Sequence, residues 1–194
     1  MVSHCLLLTG IAFALGTVPP CHEGVIAERS SDACLLSFGD LPVGFLPGLS
    51  HDQAVDVQAF MNALGTPTKL ATSEPFEEHY SGRMTRAVTV DYPHIRLVAQ
   101  YEDSKSLRDA YVESIVLSDP SRELPCGLRI GASINEFRRV LGEPNETETE
   151  SPTDYLWEKF ECRNGVTYAW HGTITLHPST SGTVAAVEWS YWGD

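Results

Sequence analysis

Basic residues are scarce in this chain: 13 Lys and Arg stand against 26 Asp and Glu, a formal charge of −13. Nucleic acid and anionic membrane would both be repelled by such a surface, so neither is expected as a partner. A basic protein is the partner type that the charge favours. Catalytic signatures are also missing: the sequence has no Gly-x-Ser-x-Gly, no His-Glu-x-x-His, no glycine-rich phosphate loop and no Cys-x-x-Cys. None of the seven histidines has a ligand-like partner at fixed spacing. Glu146, Glu148 and Glu150 alternate with threonine and lack the glycine-turned spacing of a calcium loop. The expectation is therefore a protein that is not an enzyme and carries no cofactor and no metal. No apolar run approaches the roughly 20 residues of a membrane span.

The first stretch of the chain has its own absence, since residues 1–20 contain no Asp, Glu, Lys or Arg. Cys5 to Leu15 is an apolar run of signal-peptide length, about 7–15 residues, and Ala14-Leu15-Gly16 fits the small-x-small cleavage rule. A signal peptide over 1–16 and export to the periplasm or the exterior are expected. Cleavage leaves Cys21, Cys34, Cys126 and Cys162, an even set with three possible pairings in an oxidising compartment. Cys126 precedes a helix and Cys162 falls in a strand after it, which favours Cys126 with Cys162 and, by remainder, Cys21 with Cys34. Residues 17–49 read as an N-terminal extension in which Ala33 to Phe38 forms a short strand.

What is present is a short helix with both ends punctuated. Ser133 can cap the first turn and Glu136 can complete a capping box. Ile134, Phe137, Val140 and Leu141 make an apolar stripe, Gly142 supplies the left-handed stop, and Pro144 prevents resumption. An earlier stretch matches it at a register of 77 residues: Val57, Phe60, Leu64, Gly65 and Pro67, with Ser50 and Gln53 as a possible capping box and a helix from Ser50 to Leu64. Downstream, Val112 to Ile115 aligns with Val187 to Ser190 at an offset of 75. Two tandem units follow from this, at 50–120 and 121–194. The fold class is α+β, with the helices packed on one face of antiparallel sheets.

Strand-like runs occupy 86–91, 95–101, 111–117, 154–162, 166–171, 173–177 and 183–192. Asn164-Gly165 between two of them is a strong hairpin signal, because both residues tolerate positive φ. A two-residue turn there sets Lys159 opposite Trp170, Glu161 opposite Tyr168 and Arg163 opposite Val166, all sharing a face with Tyr155 and Trp157. Leu156, Phe160, Cys162 and Ala169 are then left to meet the helix. This makes Tyr155, Trp157, Lys159, Glu161, Tyr168 and Trp170 the candidate partner-binding set, since large exposed rings beside charges build interface hot spots. In the competing reading the rings fill the core.

Tandem units of about 75 residues, each a short helix ending Leu-Gly-x-Pro and then a small antiparallel sheet, resemble the secreted β-lactamase inhibitor proteins. Single units are similar to small outer-membrane assembly lipoproteins of Gram-negative bacteria. The resemblance covers roughly residues 50–194 and rests on Gly131, the helix, and the stop Leu141-Gly142-Glu143-Pro144. It implies a non-catalytic module whose concave sheet surface grips another protein, as an inhibitor or immunity-type protein. An envelope-assembly factor and a small hydrolase are the alternatives.

Overall fold

The computed structural model describes residues 30–50, 54–79, 81–144, 153–163 and 166–191, with the backbone alone at 30–32, 158–163 and 166–171. The proposed signal peptide, the acidic run 146–150 and the Asn164-Gly165 turn lie outside these residues. The architecture is α+β, a large antiparallel sheet with a few short helices. In chain order the elements are α1 (Ser30–Gly39), α2 (Leu41–Phe45), β1 (Ala54–Val55), α3 (Val57–Leu64), β2 (Lys69–Thr72), β3 (Phe76–Glu77), β4 (Met84–Tyr92), β5 (Ile95–Glu102), β6 (Ala110–Leu117), α4 (Ile134–Leu141), β7 (Asp154–Arg163), β8 (Val166–Pro178) and β9 (Val184–Tyr191).

The main path of the sheet runs β2-β4-β5-β6-β9-β8-β7, with β1 paired to β6 and β3 to β4. Within it β4-β5-β6 and β7-β8-β9 are mirrored about the pairing of β6 with β9. Helix α3 precedes one meander and α4 the other. The two helices are each eight residues long and start 77 residues apart. Both are closed at the N-terminus by a side chain that accepts from the third residue on: Asp56 from the Ala59 amide at 2.8 Å, and Ser133 from the Glu136 amide at 3.2 Å. Both end on a positive-φ glycine, Gly65 at 84° and Gly142 at 89°, a conformation that costs any residue with a Cβ.

Alternation along the strands separates the two faces cleanly. On one, Val90, Leu97, Ile115, Trp189, Ile174 and Tyr155 form a single cross-strand row through β4, β5, β6, β9, β8 and β7. Every member of that row is buried. Phe60 and Phe137 close over this face with no exposed surface at all. Short helices are not stable alone, so this packing is what holds them.

Several sequence expectations are corrected here. The first helix begins at Val57 and not at Ser50, whose hydroxyl instead donates to the Ala54 carbonyl at 3.3 Å. Leu64, placed on the buried stripe, is 38% exposed because it sits in the last turn. Ala33 to Phe38 is helical, not a strand, as part of α1. The runs 166–171 and 173–177 are one continuous strand, β8, so His171 and His177 share a strand. Cys126 is bonded to Cys34, with Cα atoms 6.0 Å apart. A sulfur makes one such bond, so neither the pairing of Cys126 with Cys162 nor that of Cys21 with Cys34 forms. The reason is the helix: α1 lies against the 3-10 turn Pro125–Gly127 and brings Cys34 to it.

Truncating either buried phenylalanine leaves a cavity under the sheet. Phe60→Ala and Phe137→Ala are each expected to lower the unfolding free energy by ~3–5 kcal/mol, read from urea denaturation midpoints. Ser133→Ala removes only a cap and is expected to cost about 1 kcal/mol in the same measurement.

Candidate functional site

Among the described residues no helix covers the opposite face of the sheet. One row across it consists of Ala71, Thr89, Val98, Ser114, Ser190, Thr173 and Leu156, in strand order from β2 to β7. All of these are half-buried. The small side chains in the middle of the row hold the sheet's surface low. The neighbouring row is charged: Lys69, Asp91, Arg96, Val116, Glu188, Thr175 and Asp154.

One ion pair and one hydrogen bond organise that second row. Arg96 Nε donates to Asp91 Oδ1 at 2.6 Å, and this bond, reinforced by the Asp91 charge, raises the guanidinium pKa further. His177 Nε2 meets Glu188 Oε2 at 2.8 Å, with His177 reaching diagonally from the adjacent pair of positions. On the other side of the small row, Gln100 Nε2 donates to Glu113 Oε2 at 3.0 Å. Tyr111 stands at that end, 60% exposed, opposite Gln100. Ser114 and Glu113 both face the Val98 position, because a bulge inserts one extra residue into β6 there. Arg96 is positively charged and paired, whereas Glu113 and Glu188 leave negative charge on the middle of the face.

The hairpin register foreseen from Asn164-Gly165 is the one observed: Lys159 pairs with Trp170, Glu161 with Tyr168 and Arg163 with Val166. The face assignment is inverted where side chains are described. Tyr155 and Trp157 are 1% and 4% exposed, on the covered side, and Leu156 lies in the uncovered row. Neither ring can contact a partner in the folded protein. The physical reason is α1, a helix the sequence does not announce: it packs against α4 and β7, and its Phe38 and Gly39 meet the rings of Phe137, Trp189 and Trp157 on that side.

Trp157 abuts Gly39 of α1 and Gly172 of β8 so closely that a Cβ on Gly172 would lie 2.5 Å from the Ser190 carbonyl oxygen and 2.9 Å from the Trp157 indole nitrogen. The other candidates, Lys159, Glu161, Tyr168 and Trp170, are described only as backbone positions of β7 and β8. Among the described residues the pairing of β8 with β9 begins at Gly172, opposite Tyr191. Residues of the uncovered face that motif reasoning passed over, Val98, Gln100 and Glu113, were visible as the alternate positions of two expected strands.

A concavity of about 320 Å³ lies at the β4 to β5 turn and is lined by Asp91, His94, Arg96 and Ser118 among others. Asp119 next to it is held below the usual carboxylate range by hydrogen bonds from the Ser121 hydroxyl and amide. The His177 and Glu188 pair borders this concavity, since Glu188 is the cross-strand partner of its lining residue Val116. Among the described residues no group of three or more His, Cys, Asp or Glu could hold a metal, and no helix is long and apolar enough to cross a membrane. No family model matches this chain, and neither a curated protein nor a solved structure matches it.

Two buried phenols frame the covered side. Desolvation pushes Tyr155 up to about 12 and raises Tyr191 as well, and the Tyr191 hydroxyl has no hydrogen-bond partner among the described residues. In the unfolded chain both would ionise near pH 10. Above that the unfolded state binds fewer protons than the native one, so stability, fully present below pH 10, is expected to fall as pH rises from 10 toward 12. Urea midpoints across that range check it, and Tyr155→Phe should flatten the decline. At neutral pH, Tyr191→Phe removes an unsatisfied buried hydroxyl and is expected to be neutral or to stabilise by up to ~1 kcal/mol. Gly172→Ala is expected to destabilise by roughly 1–3 kcal/mol through overpacking, in the same assay.

Proposed function

We propose that this protein is a non-catalytic, exported binding module that grips a basic protein through the uncovered face of its sheet, in the manner of an inhibitor or immunity-type protein. The observation that carries the reading is the contrast between the two faces. One is sealed by helices, and the other is a wide, low, half-buried surface whose centre bears Glu113 and Glu188 on a chain of formal charge −13. Opposite charge on the partner would steer encounter and fix orientation, while the small central row leaves room for a protruding loop.

The resemblance to secreted β-lactamase inhibitor proteins supports the same reading and makes secreted serine β-lactamases the first enzymes to try. The repeat belongs to the proposal. We infer two units, 50–120 and 121–194, after an extension at 17–49. The 77-residue spacing of α3 and α4 and the mirrored order of β4-β5-β6 and β7-β8-β9 support them. Lys159, Glu161, Tyr168 and Trp170 extend the proposed surface along the hairpin. Export with removal of 1–16 is supported by the Cys34 to Cys126 disulfide.

Binding to a panel of purified basic secreted enzymes, serine β-lactamases included, tests the proposal through single charge changes. Glu188→Lys and Val98→Arg in the uncovered face are expected to weaken the complex at least ~10-fold, and the exposed α4 change Arg139→Glu to leave it unaltered. Affinity should also fall with added salt. Equal loss from the α4 variant, or no loss from the face variants, would rule the face out.

A further inference from the structure

We propose that the disulfide between Cys34 and Cys126 is a redox latch: oxidised, it holds the N-terminal arm, residues 30–47, in the seam between α4 and the sheet; reduced, it lets the arm leave while the sheet stays folded. This goes beyond the binding proposal and concerns the other side of the sheet.

The arm is built unlike the rest of the protein. Residues 30–47 pair with no strand of the described sheet, so the cooperative ladder that holds the meanders does not hold α1 and α2. Its grip comes from a few contacts. Phe38 is fully buried, stacked on Trp189 with ring centroids 5.8 Å apart and edge-on to Phe137 at 6.1 Å. The Trp189 indole nitrogen donates to the Phe38 carbonyl at 2.9 Å. Gly39 lies against the Trp157 ring, and the Arg122 guanidinium sits over the Phe45 ring at 3.4 Å. A ten-residue helix such as α1 has little stability of its own, so once detached it would not persist as a competing structure.

The covalent tie spans 92 residues of sequence and ends in a backbone held under strain. Cys126 has φ of 57° and is the only described residue other than glycine with a positive φ. A non-glycine residue in that region is there because its surroundings force it. Opening the bond removes one of those forces, and the 3-10 turn around it can relax. The bond is also reachable, since Cys126 is exposed and Cys34 half-exposed.

The step balances with an external dithiol as the reductant. Its thiolate attacks Sγ of Cys126, forming a mixed disulfide, and Cys34 leaves as a thiolate that takes up a proton. The second thiol of the reductant then displaces Cys126, which is protonated in turn, and the dithiol departs as its own disulfide. Two electrons and two protons pass to the protein. With the tie gone, only Phe38, Leu46 and their neighbours hold the arm, and its departure uncovers Phe137, Trp157 and Trp189.

Hydrogen exchange on the full-length protein, oxidised and then treated with dithiothreitol, tests this, with Cys34→Ser and Cys126→Ser, unreduced, isolating this bond from any other. The latch requires exchange in α1 to rise roughly tenfold or more in the reduced protein and in both variants, with β5 and β6 amides as protected as before. Iodide quenching of tryptophan emission should increase in parallel. Unchanged α1 exchange would show that packing alone holds the arm, and simultaneous loss of protection in α1, β5 and β6 would show a general staple; either result overturns the proposal. If the variants fail to fold, titration of the wild-type protein with the dithiol gives the same comparison. Partner affinity in Cys34→Ser should stay unchanged, so failure of the latch and failure of the binding face are read separately.

Discussion

Everything in this protein depends on the four antiparallel pairs that join β6 to β9, from Ser114 with Ser190 to Leu117 with Val187. They make two three-stranded meanders into one sheet and put Ile115 and Trp189 side by side at the middle of the core. They also bring Ser114 and Ser190 together on the opposite face. Both surfaces therefore have their centre at the same backbone hydrogen bonds, one dry and one wet. A single register determines what is hidden and what is offered, because a one-residue slip would exchange the faces wholesale.

Much of this was legible, and the parts that were not have physical explanations. The second helix was read with its cap, stripe and stop in place, because all of its signals are local. The first helix was started too early, at Ser50, although the 77-residue register that aligns Gly65 with Gly142 also aligns Asp56 with Ser133. Asp56 is the true cap. The 77-residue register compared position by position corrects what a capping rule applied alone mistakes. The hairpin pairing was recoverable from Asn-Gly chemistry, since a two-residue turn leaves no freedom in the register.

Its facing was not recoverable in the same way. Alternation says which residues share a side but not which side is covered. That depended on α1, whose ten residues show almost no amphipathic pattern and whose place is set by Phe38, Gly39 and Cys34 meeting partners more than 85 residues away. The candidate site suffers in proportion: its hairpin pairing was right, while one strand was split in two and Tyr155 and Trp157 were assigned to the wrong side. The surface left open is one of small residues and paired charges, a composition with no distinctive sequence signature.

The same central pairing bears on how the chain reaches its folded state. Synthesis delivers the first meander complete while β9 is still some 70 residues behind, and until then the segment of β6 from Ser114 to Leu117 presents bare amide and carbonyl groups beside the apolar side chains of Ile115 and Leu117. Non-local ladders of this kind close slowly. During that interval the half-made protein has an open sheet edge that two nascent copies can share. The last of the described strands to emerge is thus also the one that ends the exposure of this edge to its own kind.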